Sequence, residues 1–455
     1  MQQTCFPDAA NRCVRRDAEP LGLPRSAPVR SIPVLSRWAM LAIAATLSLA
    51  GVAIADVPDE PGSAVTLEEA LALAVEHNRE LAAFEHRRKE QDGRVEQAGL
   101  RPNPMLQLTV EDFAGSGDFD GFDSAQTTLS LGWVLERSIR RRRVAAAEAG
   151  SALLLTDAEI LRLDLGAETA QRFLNSLANQ ARLENASEAV SIAEEVVSAV
   201  SRRVRAGKSP SADLTRAEAE LARAKLARDD VQHELAIAYH RLAAQWGEWE
   251  DTKLGFSRVV GDLLALPTTE PFSHIQGRLE QNPRLARFLS EERVAKANLR
   301  LEEARRWPTL RPSIGVRRLE ANDDFALVAG LSVPLPLLNR NQGRVSESRA
   351  AVSRVRADAE AARVRVHTAL FEVYEELQHH LHRADTLREE VIPRLSKALG
   401  DARRGYEKGR HSYFEWRSVQ ADLLEARTEL VEASTGAHRL VIALERLTGV
   451  RVTKS

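Results

Sequence analysis

Asn78-Arg79-Glu80-Leu81-Ala82 is matched in the second half of the chain by Asn282-Pro283-Arg284-Leu285-Ala286, a little over 200 residues later. Two further pairs follow at nearly the same offset: Leu129-Ser130-Leu131 with Leu331-Ser332-Val333, and Arg205-Ala206-Gly207-Lys208 with Glu407-Lys408-Gly409-Arg410. A duplicated unit with little local core is typical of proteins that stack sideways with copies of themselves. The repeat therefore predicts an assembly rather than an active site.

Each half is predicted to run as a helix, two strands, a very long helix, a tight turn and a returning helix. The first helix has Thr66 as its N-cap and continues to about Ala98. Alternating apolar and polar residues then indicate strands. The four predicted strands are 105–113, 125–134, 311–319 and 324–334. The fold class is therefore mainly α with a small β part: a duplicated unit of long antiparallel helices plus two β-hairpins.

The predicted strands have the length that a tilted strand needs to cross a bilayer. Two isolated hairpins are marginally stable in water, although hairpins that cap a soluble helical bundle are the alternative interpretation. Four strands cannot close a barrel, because outer-membrane barrels need at least about eight. Three chains together supply about twelve strands and leave no open edge in lipid. The pattern predicts a trimer with a shared, twelve-stranded outer-membrane β-barrel.

The helices that follow the strands are unusually long. From 136 to about 205 there is no proline, which predicts one helix of roughly 100 Å. Its counterpart runs from about 341 to 408 with a mild interruption at Pro393. Two adjacent apolar stripes on these helices indicate neighbours on both sides, as in a ring of helices. The returning helices are predicted at about 212–246 and 413–448.

The first 55 residues have the features of a secretory leader. An apolar run that ends in Ala53-Ile54-Ala55 follows Arg30 and Arg37, which predicts a cleaved signal peptide. An uncleaved membrane anchor is the alternative, because the run is about eighteen residues long. Both cysteines of the chain lie in this segment. The remainder is predicted as two repeats, 56–265 and 266–455.

Composition and motifs argue against several function classes. The formal net charge of −2 indicates no strongly basic surface for nucleic acid. There is no glycine-rich phosphate loop, no His-Glu-x-x-His zinc motif and no nucleophile elbow. The chain is therefore predicted not to be an enzyme and to need no cofactor. Charged residues make up 28% and aromatic residues 5% of the chain, which is typical of long, closely packed helices.

Several strings carry a family resemblance. Thr66-Leu67-Glu68-Glu69-Ala70-Leu71 and Glu76-His77-Asn78, with the duplicated strands and turns, resemble the TolC family of outer-membrane efflux proteins. Arg101-Pro102-Asn103-Pro104, Val333-Pro334-Leu335-Pro336-Leu337-Leu338 and Asn339-Arg340-Asn341-Gln342-Gly343 resemble its cobalt–zinc–cadmium (CzcC-like) branch. The resemblance implies a homotrimeric barrel in outer-membrane lipid above a periplasmic α-helical tunnel. A periplasmic membrane-fusion adaptor and an inner-membrane RND pump are the implied partners.

These features predict the outer-membrane exit duct of a tripartite efflux system for divalent heavy-metal cations. Within the same class, a duct for drugs or for type I secretion is the alternative. From another class, the alternative is an exported helical structural or adaptor protein. Adaptors need additional β-rich modules, which four strands in two matched hairpins do not provide.

The two turns between the long and the returning helices are the predicted periplasmic tip. Glycine at these positions suits helix C-termini that need a positive φ. Ser211 and Ser412 are expected to cap the returning helices. The predicted adaptor-contact residues are Gly207, Lys208, Gly409 and Arg410.

Carboxylates at the tip are the candidate gate. In a trimer, Asp213 and Glu415 provide about six carboxylates at the narrow end of the tunnel, which favours cations. The resemblance implies that Glu415 occupies a gate position, Tyr406 a tether position, and His411 the place of a tethering arginine. A second gate position carries Ser418 and is not acidic. Helix capping or an ion pair is the alternative role for both acids.

Two other clusters have alternative interpretations. Arg137-Ser138-Ile139-Arg140-Arg141-Arg142-Arg143 stands where the branch has Gly-Gly-Lys-Arg. Its arginines are expected to contact lipid headgroups or to line the lumen, with a salt-bridged helix start as the alternative. His379 and His382 share a helix face that suits a divalent ion. A solvated face is the preferred interpretation, and no metal site is predicted.

Overall fold

The computed structural model describes residues 64–248 and 254–450. These residues fall within one compact unit, Pro58–Ser455, and the predicted leader at 1–55 lies outside them. In chain order the elements are β1 (Ala64–Thr66), α1 (Leu67–His77), α2 (Arg79–Gly99), β2 (Met105–Glu111), β3 (Gln126–Gly132), α3 (Arg137–Arg205), α4 (Ser211–Ala243), β4 (Arg258–Val260), α5 (Phe272–Gly277), α6 (Pro283–Ala304), β5 (Arg311–Leu319), β6 (Asp324–Ser332), α7 (Gln342–Thr386), α8 (Ile392–Glu407) and α9 (Tyr413–Thr448).

The four longer strands form one antiparallel sheet in the order β2-β3-β5-β6. Leu108 pairs with Leu129 in the first hairpin, and Val316 pairs with Leu327 in the second. The two hairpins join through β3 and β5, where Leu129 lies opposite Val316. The two predicted hairpins are therefore confirmed, with strand ends that differ from the prediction by at most two residues.

One face of this sheet is apolar and uncovered in the single chain. Leu106, Leu108, Leu327 and Leu331 are 65–82% exposed, and the strand period of two turns the polar residues between them to the other face. In the described chain, β2 and β6 each have a neighbouring strand on one side only. An apolar face with two open edges fits a sheet that enters lipid and closes with further chains.

The motif that marks the duplication is a helix break. The predicted continuous helix over 66–98 is wrong, because Asn78 takes an extended conformation (φ −67°, ψ 126°) between α1 and α2. The Oδ1 atom of Asn78 accepts hydrogen bonds from the N–H groups of Glu80 (2.8 Å) and Leu81 (3.4 Å). Its Nδ2 group donates to the carbonyl of Gln245 (3.0 Å). The side chain therefore satisfies the amide groups that the break leaves free.

Asn282 has the same role in the second half. It is fully buried, its Oδ1 accepts from the N–H of Arg284 (2.7 Å), and its Nδ2 donates to the carbonyl of Leu447. In both halves, one asparagine thus starts a helix and holds the end of the returning helix. The division into repeats at 56–265 and 266–455 stays a prediction.

The long helices agree with the prediction. α3 is a single helix of 69 residues, about 100 Å in length. α7 and α8 form its counterpart, and a π-helical turn at Leu387–Val391 separates them just before Pro393. α3 packs against α4 and α9, and α9 packs against α7. None of the helices in the described part of the chain combines the length and the apolarity needed to cross a bilayer.

A small parallel sheet that was not predicted lies beside α3. β1 pairs with β4, with Val65 opposite Val259. We call β1, α1, β4 and residues 254–263 the belt. Its apolar core joins Phe173 of α3 and Leu242 of α4. The two strands have three residues each, which is too short for a period of two to be recognised in the sequence.

Candidate functional site

The two turns at the end of the long helices have the same backbone geometry. Gly207 has φ +69° and Gly409 has φ +74°, as predicted for glycine after a helix C-terminus. Each turn closes with the paired backbone bonds of a Schellman motif. These bonds join Gly207 N to Val204 O (2.9 Å), Lys208 N to Arg203 O (2.9 Å), Gly409 N to Tyr406 O (2.9 Å) and Arg410 N to Gly405 O (2.8 Å). The four predicted adaptor-contact residues are all exposed at the tip.

The returning helices begin differently. Ser412 caps α9 as predicted, because its Oγ accepts from the Glu415 N–H at 3.2 Å and the Glu415 carboxylate accepts in return. The prediction that Ser211 caps α4 is wrong. Pro210 occupies the N-cap position, so Ser211 is already the first helical residue. Only an N-cap side chain accepts from the free N–H groups of the first turn, and the Ser211 hydroxyl is one residue too late for that.

One guanidinium, that of Arg203 near the end of α3, ties the two turns together. It donates to the carbonyl of Tyr406 (2.6 Å) in the second turn. It also donates to the carbonyl of Lys208 (3.2 Å) and the Oγ of Ser209 (3.2 Å) in the first turn. Its central carbon lies 4.8 Å from the centre of the Tyr406 ring, within cation–π range. A single side chain thus couples both halves of the chain at the tip.

The sequence interpretation missed Arg203. A basic residue in the last turn of a helix is an ordinary partner of the helix dipole, so no local signal distinguishes it from Arg202 or Arg205. Its importance comes from the second turn, which lies about 200 residues away in sequence.

Tyr406 lies in the apolar core between the turns. It is 2% exposed, its ring centre lies 5.1 Å from that of Trp416, and its hydroxyl lies 3.5 Å from the Oγ of Ser209. Both aromatic rings pack with Val200 and Ala217 in one buried cluster. The structure thus gives Tyr406 a packing role, and its tether role stays a prediction.

Glu415 is engaged at the start of its own helix. Its Oε2 accepts from the N–H of Ser412 at 2.7 Å, and this hydrogen bond holds the pKa of Glu415 below its ordinary value. The Nδ1 of His411 lies 3.4 Å from the same oxygen. The His411 ring occupies the space into which a Cβ on Gly405 would project. Capping is therefore what the structure shows for Glu415, and the gate roles of Glu415 and His411 stay predictions.

Asp213 occupies the corresponding position in the first half. It is the third residue of α4, as Glu415 is the third residue of α9, so both carboxylates lie at the positive end of a helix dipole. Asp213 is half-buried. Burial raises the pKa of Tyr413, and the nearby carboxylates of Glu220 and Asp213 act in the same direction. The gate role of Asp213 also stays a prediction.

The arginine cluster at the start of α3 has a structural role in part. Arg140 donates to the carbonyl of Gly99 (3.1 Å), and Arg143 donates to those of Ala98 (2.9 Å) and Leu100 (2.8 Å). These bonds satisfy free carbonyl groups at the end of α2. Arg141 and Arg142 are exposed, and contact of the cluster with lipid headgroups or with the lumen stays a prediction.

The three histidines of the cluster lie on α7. His379 and His382 are exposed, and the His379 and His380 rings lie 6.1 Å apart. Across residues 64–248 and 254–450, no group of three or more His, Cys, Asp or Glu side chains is arranged to hold a metal ion.

Known proteins match this architecture along most of its length. The family described as outer membrane efflux protein matches residues 70–248 and 275–450. The cobalt-zinc-cadmium resistance protein CzcC of Cupriavidus metallidurans is 29% identical over 394 residues, which cover 86% of this chain and 92% of that protein. The nickel and cobalt resistance protein CnrC of the same organism is 25% identical over 329 residues, covering 70% and 76%.

Solved structures support the fold. The outer-membrane channel OprN superimposes with a TM-score of 0.70 and 19% identity, over 84% of this chain and 89% of that one. The superposition supports the arrangement of long helices and strands described above.

Proposed function

Because the chain belongs to the outer membrane efflux protein family, we propose that it is the exit duct of a tripartite system that exports divalent heavy-metal cations. The chain is an outer-membrane efflux protein with a TolC-like fold, whose long helices form a periplasmic tunnel. The proposal that the exported solutes are metal cations rests on the 29% identity to CzcC, along 92% of that protein. CzcC is named for cobalt, zinc and cadmium, and CnrC for nickel and cobalt.

The incomplete sheet of the single chain supports a homotrimer. The open edges of β2 and β6 and the uncovered apolar face between them require further strands in lipid, where unpaired amide groups cost several kcal/mol each. Three copies of the sheet make a barrel of about twelve strands, which exceeds the smallest known closed barrels.

A periplasmic adaptor and an inner-membrane RND pump are the proposed partners. The exposed turns with Gly207, Lys208, Gly409 and Arg410 offer the contact surface for the adaptor at the lower end of the tunnel. The pump supplies the energy, and the duct passes solutes without chemical conversion.

The gate is proposed at the same tip. In a trimer, Asp213 and Glu415 place about six carboxylates around the narrow end, which favours divalent cations over anions. Arg203 holds both turns of one chain together, so we infer that the two turns move as one body when the tip opens. Tyr406 and His411 stabilise the closed arrangement in this proposal.

The test is growth of a strain that lacks this protein, with and without a plasmid-borne copy. The panel is cobalt, zinc, cadmium, nickel, copper, silver and common drugs. We expect selective sensitivity to divalent metals that the wild-type copy restores. The double variant Asp213→Asn, Glu415→Gln tests the carboxylates. The matched control is Asp358→Asn, Glu360→Gln, an acid pair on α7 whose side chains are 50% and 71% exposed.

Sensitivity to drugs alone would contradict the metal cargo and favour the drug duct of the same class. Full growth on every compound would contradict the efflux role itself.

A further inference from the structure

A cavity of about 690 Å³ lies between α3, α4, α7 and α9. It lies at the same height along α3 as the belt. This volume is within the range of small-molecule sites. Its wall contains five guanidinium groups, two carboxylates and the neutral polar side chains of Asn175, Asn179 and Thr435. The charged residues are Arg172, Arg182, Arg241, Arg383, Arg439, Glu234 and Glu432.

Two of the five arginines have carboxylate partners. Arg172 lies 3.1 Å from Glu168, and Arg383 lies 3.2 Å from Glu429. These ion pairs remove part of the positive charge of the wall and hold two guanidinium groups in place. They also leave the remaining three arginines as the groups that are free to act on a ligand.

The remaining arginines are Arg182, Arg241 and Arg439. Arg182 donates to the Oδ1 of Asn179 at 3.4 Å, and within the described residues none of the three forms an ion pair. Five carboxylates surround the five arginines: those of Glu168, Glu429, Glu234 and Glu432, and that of Glu376, which acts on His380 of the same wall. The formal charges therefore balance, and it is the three guanidinium groups without an ion pair that offer donors to an anion. A guanidinium has five N–H donors in a planar fork that matches carboxylate and phosphate oxygens.

The position of the cavity follows from the helix period. On α3, Phe173 and Leu177 pack towards the belt, whereas Asn175 and Asn179 line the cavity. Residues two apart on a helix point about 200° apart, so belt and cavity lie on opposite sides of α3. In a closed ring of helices the belt lies outside, because inside it would obstruct the duct. The cavity therefore faces the lumen, a step that rests on the proposed function.

We propose that this cavity binds multivalent oxyanions of the polycarboxylate or phosphate class on the wall of the duct. Such an anion bridges the three unpaired guanidinium groups. It reaches the wall either free or as the carrier of a metal ion. This site is separate from the acidic tip. It prefers anions, whereas the carboxylates of the tip favour cations.

The test is calorimetric titration of the purified full-length protein in detergent with citrate and with inorganic phosphate. In the double variant Arg241→Gln, Arg439→Gln, citrate affinity is expected to fall about tenfold or more, since two charge-assisted contacts are lost. The control is Arg223→Gln, Arg394→Gln, whose side chains are 75% and 77% exposed and lie elsewhere. Thermal unfolding of each variant reports folding, and Arg241→Gln alone serves if the double variant unfolds.

Wild-type protein that binds neither citrate nor phosphate would overturn the proposal, as would a double variant that binds as tightly as wild type. Titration with cobalt–citrate separates the two sources of the anion. Binding as tight as that of citrate indicates a carried metal ion, and binding of citrate alone indicates a free oxyanion. Because the titration needs no transport, its outcome is independent of the growth test of the duct.

Discussion

At the scale of single residues, Arg203 is a side chain that hydrogen-bonds to both tip turns. We expect Arg203→Gln to reduce the free energy of unfolding by about 2 kcal/mol, since hydrogen bonds of a charged group to both turns are lost. We also expect more frequent openings in planar bilayers, because the turns are no longer coupled. Arg202→Gln is the matched control, because among residues 64–248 and 254–450 the Arg202 side chain bonds to Ser198 of its own helix and to no residue of either turn. Equal behaviour of the two variants would contradict the coupling role of Arg203.

His438 makes the fold sensitive to mild acid. Its Nε2 group lies 3.1 Å from the carbonyl of Leu263, and burial lowers its pKa from 6.5. The folded state therefore disfavours the proton that the unfolded state accepts, so stability is present above about pH 6.5 and decreases as the pH falls through the folded pKa. We expect the melting temperature to fall between about pH 7.5 and pH 5.5, and less so in His438→Gln.

The control for His438 is His382→Gln, which alters an exposed histidine of α7. A pH dependence that is the same in wild type and His438→Gln would show that other groups cause it.

At the scale of elements, the two returning helices offer a matched comparison. Ser412→Ala removes the cap of α9 and is expected to cost about 1 kcal/mol. Ser211→Ala in α4 is expected to change stability by less than about 0.5 kcal/mol, because Ser211 makes no capping bond. Thermal unfolding and amide hydrogen exchange at the two helix starts measure both effects. Equal losses in the two variants would mean that Ser211 caps its helix after all.

The helix breaks show what local signals leave open. Asn78 and Asn282 belong to the motif that is repeated in the two halves of the chain. The sequence predicts that Asn78 lies inside one helix, because the apolar periodicity continues through it. Both are caps whose amide groups reach the returning helix. The apolar period of a sequence indicates which face of a helix is buried. It does not show that the helix is interrupted at an asparagine whose amide group bonds to a carbonyl far away in sequence, as Asn78 does with Gln245 and Asn282 with Leu447.

At the scale of the whole molecule, the open sheet edges predict a trimer. Protein extracted from outer membranes in mild detergent is expected to have about three times the mass of one chain, because only added strands satisfy β2 and β6 in lipid. Light scattering after size-exclusion chromatography measures this mass. A stable monomer with an intact sheet would contradict the shared barrel.

The sequence by itself determined the class of the protein. The duplication, the lengths of 105–113 and 324–334, the proline-free stretch at 136–205 and the glycines of the tip led to paired hairpins, a single long helix and two matching turns. These features follow from local rules of period, chain length and backbone conformation. Such rules act on neighbours in sequence, so they are readable without the fold.

Only the tertiary structure decided which side chains meet. It brought Arg203 to the carbonyl of Tyr406, placed Phe173 against the belt, and gathered the arginines of four helices around one cavity. It also assigned Arg140 and Arg143 to the end of α2. These partners come from segments far apart in sequence. No sequence pattern predicts which distant group a long polar side chain will contact. Their roles were decided by which helices pack together.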